Sequence, residues 1–290
     1  MAARLLKRAR EFGPDLVLAT TGEVPPQVIA ALKGEGAATA AWFTDSVANL
    51  GRHYLLAAPY DCLFFKEPYM VSLFRDKLEK NTYYLPEACN PRWHRPVELG
   101  EAERAYFGCD LSLAGNMYYY RALMLEHLLD YRVKIWGLSY PRWLDSPTRA
   151  VFMRQYVARE EKAKAFRAAA INVNSYHPTE ITGVNCRTFE VAGCGGFQIA
   201  ELRPELANLF EIDREIVTFH TLRELKEKVA YYLVHEEERQ EIALRSQRRA
   251  HRDHTYELRL RSLLKAVEDG SRDRRPSPES NGREIGAAKR

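Results

Sequence analysis

Two blocks of alternating strand and helix patterns, separated by a proline-rich stretch, constrain the fold of this chain more than any other feature. In the first block, short apolar runs typical of strands lie at residues 15–20, 38–44, 61–65 and 82–85, with helical patterns between them. The alternation resumes after residues 86–108, which hold three prolines and two glycines. Strands that alternate with helices indicate parallel sheets covered on both faces, so we predict an α/β chain with two lobes.

The second block is longer than the first. Its predicted strands lie at residues 111–114, 132–136, 168–174, 196–200 and 215–219, and its helices at 118–130, up to 167, from 188, at 221–235 and at 237–266. We therefore divide the chain into a partial N-terminal lobe at 1–90, a linker at 91–108, a C-terminal lobe with its closing helix at 109–266 and a disordered tail at 267–290.

Composition narrows the class of protein. The net charge of the 290 residues is only +4, and the first concentration of basic residues comes after residue 245, so no nucleic-acid partner is expected. Five cysteines without CxxC spacing argue for reduced thiols and against a zinc site. Without a signal-peptide pattern or an apolar run of about 20 residues, we expect a soluble cytoplasmic protein with no transmembrane segment.

A first candidate site lies where a predicted strand ends. Gly115 and Asn116 follow the strand at 111–114, and the helix after them carries Arg121. In a doubly wound sheet ligands bind at the carboxyl ends of strands, where helix N-termini attract phosphate and glycine permits close approach. An ordinary strand–helix turn with a surface arginine explains the same residues, and on this motif alone it is the better explanation.

A second candidate site lies in the glycine-rich stretch at residues 182–197. Gly183, Asn185 and Arg187 stand at or before the start of a short helix, where a diphosphate would be attracted, and Glu190 lies one turn further on. A carboxylate there could accept both hydroxyls of a ribose. The alternative, a crossover whose glycines only permit close packing and whose Glu190 forms a salt bridge, is equally compatible with the spacing.

Several stretches of the chain resemble one family. NCRTFEVAGCGGFQI, LSLAGNMYYYRALMLEHLLDYRVKIWG and RAHRDHTYELRLRSLL are similar to segments of the CgeB/YkvP-like spore-protein glycosyltransferases, within the GT-B superfamily. So are EIVTFHTLRELKEKVAYYLVHEEER and AAWFTDS. The resemblance extends over residues 15–266 and is most specific at 108–265. It implies two Rossmann-like lobes and transfer of a sugar from a nucleotide-diphosphate donor.

The resemblance also implies roles for individual residues. The position of Glu190 would contact the donor ribose, the loop at Gly115 and Asn116 would face the diphosphate, and Arg121 or Arg187 would balance its charge. The base pocket would lie at Trp136 and Gly137, although tryptophans are more often packing residues. The chain holds no DxD motif, in keeping with a metal-independent site without a cofactor.

The chain departs from the family pattern at its start. GT-B N-terminal lobes usually open with a strand and a glycine loop, whereas this chain opens with the helical pattern LLKRAREF. We therefore expect a truncated N-terminal lobe that lacks at least one strand–helix unit.

Two residues are candidates for the chemical step. Asp45 follows the strand at 38–44 and could deprotonate an acceptor hydroxyl, but an N-cap is the slightly favoured alternative. His177 follows the strand at 168–174 and could reach the sugar or the phosphates, and a loop histidine without a role is about as plausible.

The sequence thus predicts a glycosyltransferase of hexosyltransferase type. Its partners would be a nucleotide sugar and an unknown acceptor, either a glycan, a protein or a small molecule. Two rivals remain, a non-catalytic nucleotide-sugar-binding or spore-assembly protein on the same fold, and a sugar-nucleotide 2-epimerase.

Overall fold

The computed structural model describes residues 2–52 and 54–272, and they form two parallel sheets. The first sheet has the order β1-β2-β3-β4 and the second the order β6-β5-β7-β8-β9. The strands are β1 (Leu16–Ala19), β2 (Ala38–Phe43), β3 (Cys62–Phe65), β4 (Thr82–Tyr84), β5 (Cys109–Ala114), β6 (Val133–Trp136), β7 (Ala169–Asn174), β8 (Gln198–Glu201) and β9 (Val217–Phe219).

The helices cover these sheets and connect successive strands. They are α1 (Ala2–Phe12), α2 (Pro26–Gly34), α3 (Pro68–Leu78), α4 (Glu101–Phe107), α5 (Tyr119–Glu126), α6 (Arg159–Ala168), α7 (Cys186–Gly193), α8 (Leu206–Leu209), α9 (Leu222–Val234), α10 (Glu236–Asp253) and α11 (Tyr256–Arg272). Proline stands at the first position of α2 and of α3, where its missing N–H costs nothing. The predicted strands and the two-lobed α/β architecture are confirmed.

The inner strands are buried on both faces, as parallel strands between helix layers require. All four residues of β3 are buried, and so are five of the six residues of β2. The register pairs Ala40 with Cys62, and the aromatic side chains of β2 and β3 fill the space between sheet and helices. The side chains of β2 and β3 therefore form the centre of the hydrophobic core of the first lobe.

Strand order reverses in the second sheet between β5 and β7. The chain runs from β5 outward to β6, and then returns to place β7 on the opposite side of β5. In an open α/β sheet this switch point leaves a crevice at the carboxyl ends of the two strands, because their connections leave in opposite directions. The residues that follow β5 and β7 therefore share one crevice.

The structure differs from the predicted boundaries in three places. The predicted linker at 91–108 contains α4, which packs against α6, and its Phe107 packs against Trp136 at a ring-centroid distance of 5.4 Å. The predicted helix at 237–266 is two helices, α10 and α11, that break at His254 and Thr255. The start of the predicted tail, residues 267–272, belongs to α11, and residues 273–290 lie outside the described residues.

Two chain segments connect the lobes, and they are hydrogen-bonded to each other. Cys89 N donates to His254 O at 2.9 Å, and Tyr256 N donates to Cys89 O at 3.0 Å. Beyond this crossing, α11 packs on β2 and β3 of the first lobe through Leu263 and Val267. The last helix therefore braces the N-terminal lobe. Among the described residues, no helix is long and apolar enough to cross a bilayer.

Candidate functional site

A cleft of about 500 Å³ opens between the two lobes at the carboxyl ends of their strands. The N-terminal lobe contributes residues that follow β2 and β3, and the C-terminal lobe contributes residues that follow β5 and β7 and the start of α7. The residues that line it are Asp45, Ser46, Ala48, Asn49, Lys66, Asn116, Tyr118, Arg121, His177, Glu180, Asn185 and Arg187.

Two guanidinium groups flank the turn after β5. Gly115 has a φ of +139°, and a Cβ at this position would lie 2.4 Å from Arg187 Nη2 and 3.0 Å from Arg121 Nη1. Any side chain at residue 115 would therefore displace one of the arginines. Glycine here serves both the backbone conformation and the close approach of the two cations.

Arg121 ties the ends of β5 and β7 together. Its Nε donates to Ser175 Oγ at 3.0 Å, its Nη2 to Ser175 O at 3.2 Å and its Nη1 to Asn116 O at 2.5 Å. The side chain is only 4% exposed, and burial together with the charge of Arg187 lowers its pKa to about 10. The guanidinium therefore remains charged at neutral pH.

Neither arginine has a carboxylate partner among residues 2–52 and 54–272. Arg187 Nη1 donates to Asn174 Oδ1 at 3.1 Å, and the hydrogen bonds of Arg121 go to neutral oxygens. The Arg121 guanidinium also lies 4.5 Å from the centroid of the Tyr118 ring. A buried cation without a counter-ion is costly, and two adjacent cations add mutual repulsion. An anion in the cleft would relieve both costs.

The start of α7 presents a second group of donors to the same cleft. Asn185 caps the helix, since its Oδ1 accepts from Thr188 N at 3.3 Å, and its Nδ2 donates to Asn174 Oδ1 at 3.2 Å. The positive end of the helix dipole therefore points toward the cleft, where it favours a negative group.

The N-terminal lobe supplies a third cation, which is not among the residues predicted from the sequence. Lys66 follows β3 directly, is 7% exposed, and its Nζ lies 2.6 Å from Glu180 Oε1 and 3.6 Å from Glu87 Oε2. Burial opposes its charge, but the neighbouring carboxylates Glu87 and Glu180 raise its pKa. Lys66 could have been predicted from its place in the sequence, because it is a charged residue between the carboxyl end of a strand and the start of a helix.

Two predicted catalytic residues face this cleft from opposite lobes. Asp45 is exposed, and its carboxylate accepts from Ser46 N at 2.7 Å and from Asn49 Nδ2 at 2.8 Å. His177 Nδ1 lies 2.7 Å from Thr179 Oγ1, and its ring is 5.0 Å from that of Tyr118. Asp45 therefore bonds within its own turn and borders the cleft, while the capping contact is made by Ser46, whose Oγ accepts from Ala48 N at 3.3 Å.

Glu190 does not line the cleft. It lies one turn into α7, and its Oε1 is 2.9 Å from Lys162 Nζ and 3.6 Å from His94 Nε2. With 9% exposure its carboxylate is buried in this cluster. The ribose contact implied by the resemblance stays a prediction, because it requires the carboxylate to leave Lys162 or to share it.

The two positions of the expected base pocket serve packing in this structure. Trp136 is 1% exposed and packs among Phe107, Val157 and Phe166, so its indole is not open to a base in this structure. A Cβ at Gly137 would lie 2.6 Å from Gly115 O, so Gly137 supports the turn after β5 from behind.

Gly183 contacts the other lobe instead of the cleft. Its N–H donates to both carboxylate oxygens of Glu67 at 3.1 Å, and a Cβ there would lie 2.5 Å from Lys66 O. Ile181 N and Thr182 N also donate to Glu67, at 2.9 and 3.0 Å, and so does the Thr182 hydroxyl. We call this contact the Glu67 latch, and it joins the two lobes next to Lys66.

No group of three or more His, Cys, Asp or Glu side chains in the described part of the chain is arranged to hold a metal ion.

Two Rossmann-like lobes with a cation-lined cleft at their facing strand ends define a GT-B-type fold. A family model for glycosyl transferase-like proteins matches residues 121–265, half of the chain, and the chain belongs to that family. The chain is also similar to spore protein CgeB of Bacillus subtilis strain 168, with 24% identity over 283 residues that cover 91% of this chain and 86% of CgeB.

Solved structures agree on the fold. HepE of Anabaena in complex with UDP-glucose superposes with a TM-score of 0.67 at 11% identity, over 92% of this chain and 82% of HepE. Sucrose-phosphate synthase from Thermosynechococcus elongatus gives a TM-score of 0.66 at 12% identity, over 94% of this chain and 77% of that one. At these identities the likeness shows the GT-B architecture alone.

Proposed function

We propose that the cleft binds the diphosphate of a nucleoside diphosphate sugar and that the protein transfers the sugar to an acceptor hydroxyl. The observation that carries this proposal is the pair Arg121 and Arg187, which flank Gly115 at the strand switch point without a carboxylate partner in the described residues. HepE, which has the same fold, is known in complex with UDP-glucose, and that is consistent with a donor of this class.

The chemical step follows from this placement. The acceptor oxygen attacks the anomeric carbon, the bond from that carbon to the β-phosphate oxygen breaks, and the hydroxyl proton passes to a base. Negative charge grows on the leaving phosphate, and preoriented guanidinium groups stabilise it more than they stabilise the ground state. Arg121 and Arg187 would supply this charge without a divalent cation, so we propose a metal-independent transferase.

Asp45 and His177 are the proposed groups on the acceptor side. Both border the cleft, one from each lobe, so an acceptor between the lobes would meet them both. Asp45 is the better candidate for the base because its carboxylate is exposed to solvent and, within the described part of the chain, accepts hydrogen bonds from Ser46 and Asn49 of its own turn.

Calorimetric titration with UDP, GDP and dTDP tests donor binding. Replacing Arg187 with alanine should weaken binding of the preferred nucleotide at least tenfold, because one charge-assisted hydrogen bond contributes about 1.5–3 kcal/mol. Arg245→Ala, which removes an exposed arginine paired with Glu241 on α10, is the matched control and should bind like the wild type. Equal affinities in both variants would refute the proposed phosphate site.

A turnover assay separates transfer from mere binding. The wild type with its preferred nucleotide sugar and excess chelator should release nucleoside diphosphate, by transfer or slow hydrolysis, and Asp45→Asn should release it at least a hundredfold more slowly with unchanged donor affinity. Tight binding of the donor without any release of diphosphate would favour the rival, a non-catalytic binding protein.

A further inference from the structure

A second groove lies at the opposite end of the C-terminal sheet from the cleft. It has a volume of about 450 Å³ and is bordered by the starts of β5 and β7, the segment before β8 and the first turns of α10. Strands β5 and β7 have six residues each, so the groove and the cleft are separated by roughly 20 Å of sheet. One small ligand cannot occupy both.

Three arginines line this groove without a carboxylate partner among the described residues. They come from three different helices, Arg104 from α4, Arg167 from α6 and Arg239 from α10. Their convergence therefore results from the tertiary fold and not from a basic run of sequence.

Each of these arginines is anchored by one part of its guanidinium to a backbone carbonyl. Arg104 Nε donates to Leu99 O at 3.0 Å, and Arg167 Nη1 donates to Gly195 O at 3.2 Å. Arg239 Nη1 donates to Leu233 O at 3.0 Å, at the end of α9. The anchors fix the side chains at the groove and leave further N–H groups of each guanidinium for a ligand.

The acidic residues of the groove do not cancel this charge. Asp110 is bound by Arg132, whose Nε and Nη2 lie 3.1 and 2.7 Å from Asp110 Oδ1. Glu236 Oε1 accepts from Gln240 Nε2 at 2.9 Å. Four arginines against two carboxylates leave the groove with a net positive charge of two.

The volume of the groove indicates what kind of anion it would take. It lies within the usual range of about 300–1,000 Å³ for small-molecule pockets and exceeds the needs of a bare phosphate ion. Arginine forks bind the tetrahedral oxygens of phosphate well, and Gln240 and backbone groups at the strand starts could hydrogen-bond an organic portion.

We propose that this groove is a second binding site, separate from the cleft, for a small phosphomonoester held by Arg104, Arg167 and Arg239. Burial lowers the pKa of Arg239 against the attraction of Glu236, and an anionic ligand would further offset the cost of burying this cation. The site requires no change in the proposed transferase function, and it would exist equally in a non-catalytic protein of this fold.

Calorimetric titration with glycerol 3-phosphate tests the proposal on the full chain carrying Arg187→Ala, which reduces binding at the cleft. In phosphate-free buffer at physiological ionic strength, we expect one saturable site. Arg104→Ala with Arg167→Ala should weaken it at least tenfold, and both side chains are exposed, so these changes should leave the fold intact. Arg239→Lys, which keeps the charge and loses the fork, should weaken it severalfold.

The control removes the same charge from elsewhere on the lobe. Arg245→Ala with Arg248→Ala changes two exposed arginines of α10 that do not border the groove, and it should bind like the parent. The proposal is overturned by the absence of saturable binding, by an equal loss in the control, or by unchanged affinity in the Arg104 and Arg167 variant. It is also overturned if inorganic phosphate binds as tightly as the ester.

Discussion

At the scale of single residues, the cleft is built from charges whose partners come from distant parts of the chain. The sequence predicts a diphosphate site near four residues, and the structure brings all four to one cleft: Asn116, Arg121, Asn185 and Arg187. The position of each residue just after a predicted strand is sufficient for this prediction, because the carboxyl ends of parallel strands lie at one edge of the sheet.

The direction of a side chain was harder to predict than its position. Glu190 has the expected place on α7, but it meets Lys162, which is 28 residues away on α6, and His94 from the segment between the lobes. The spacing of residues along a helix predicts which face of that helix a side chain lies on. It does not predict which other helix packs against that face. Trp136 shows the same difficulty. The sequence pattern of an aromatic residue at a strand end is the same whether its side chain lies in the core or lines a cleft.

The half-buried carboxyl of Glu87, whose side chain is 14% exposed, makes stability dependent on pH. Burial raises its pKa to about 7, against the attraction of Lys66, so the folded state holds a proton that the unfolded chain releases near pH 4.5. Stability should therefore fall as pH rises from about 4.5 to 7, by up to about 3 kcal/mol from this group.

Replacing Glu87 with glutamine should remove that dependence. Urea denaturation at pH 5 and pH 8 should show a smaller difference between the two pH values for Glu87→Gln than for the wild type. Glu98→Gln, on the same segment between the lobes, is the control. A wild-type stability that does not change over this range, or an unchanged difference in the variant, would contradict the assignment.

At the scale of elements, strand and helix positions were largely predictable and helix ends were not. The break between α10 and α11 has no proline or glycine. It forms because Thr255 Oγ1 accepts from Leu258 N at 3.3 Å, and because the backbone at 254–256 bonds to Cys89 of the other crossing segment. Such contacts between segments more than 150 residues apart leave no local pattern in sequence.

The packing of α11 on the first lobe gives a sharp test with a neighbouring control. Leu263 is fully buried against the aromatic residues of β2 and β3, whereas Leu264 is 47% exposed. Leu263→Ala should lower the free energy of unfolding by about 2–5 kcal/mol, and Leu264→Ala by about 0.5 kcal/mol or less. Equal effects in chemical denaturation would show that α11 does not brace this lobe.

The Glu67 latch joins α3 to the loop before α7. Its carboxylate is 3% exposed and receives three consecutive backbone N–H groups of residues 181–183. Glu67→Ala would leave those donors unpaired, at a cost of about 1–3 kcal/mol for each buried group that water cannot reach.

Hydrogen exchange measures the latch directly. The amides of Ile181, Thr182 and Gly183 should exchange much faster in Glu67→Ala, and Glu67→Gln, which keeps one acceptor oxygen, should show an intermediate rate. The amides of β8 serve as the internal reference, since they belong to the sheet and not to the latch. Unchanged protection at 181–183 would mean that Glu67 does not hold this loop.

At the scale of the whole molecule, two lobes and a cleft between them follow from the order of strands. The alternation of strands and helices predicted two parallel sheets, and the break at 86–108 predicted their separation. The reversal at β5 could not be read from the sequence, because strand order depends on which edge each crossover reaches. That reversal is nevertheless what brings the ends of β5 and β7 to a common crevice.

The central claim is that two guanidinium groups at this crevice bind a diphosphate. A crystal structure of the protein with the nucleoside diphosphate selected by calorimetry tests it most directly. The account predicts phosphate oxygens within hydrogen-bond distance of Arg187 and of the Gly115–Asn116 turn, with Arg121 still bonded to Ser175. A fully occupied nucleotide whose phosphates lie away from both arginines would contradict it.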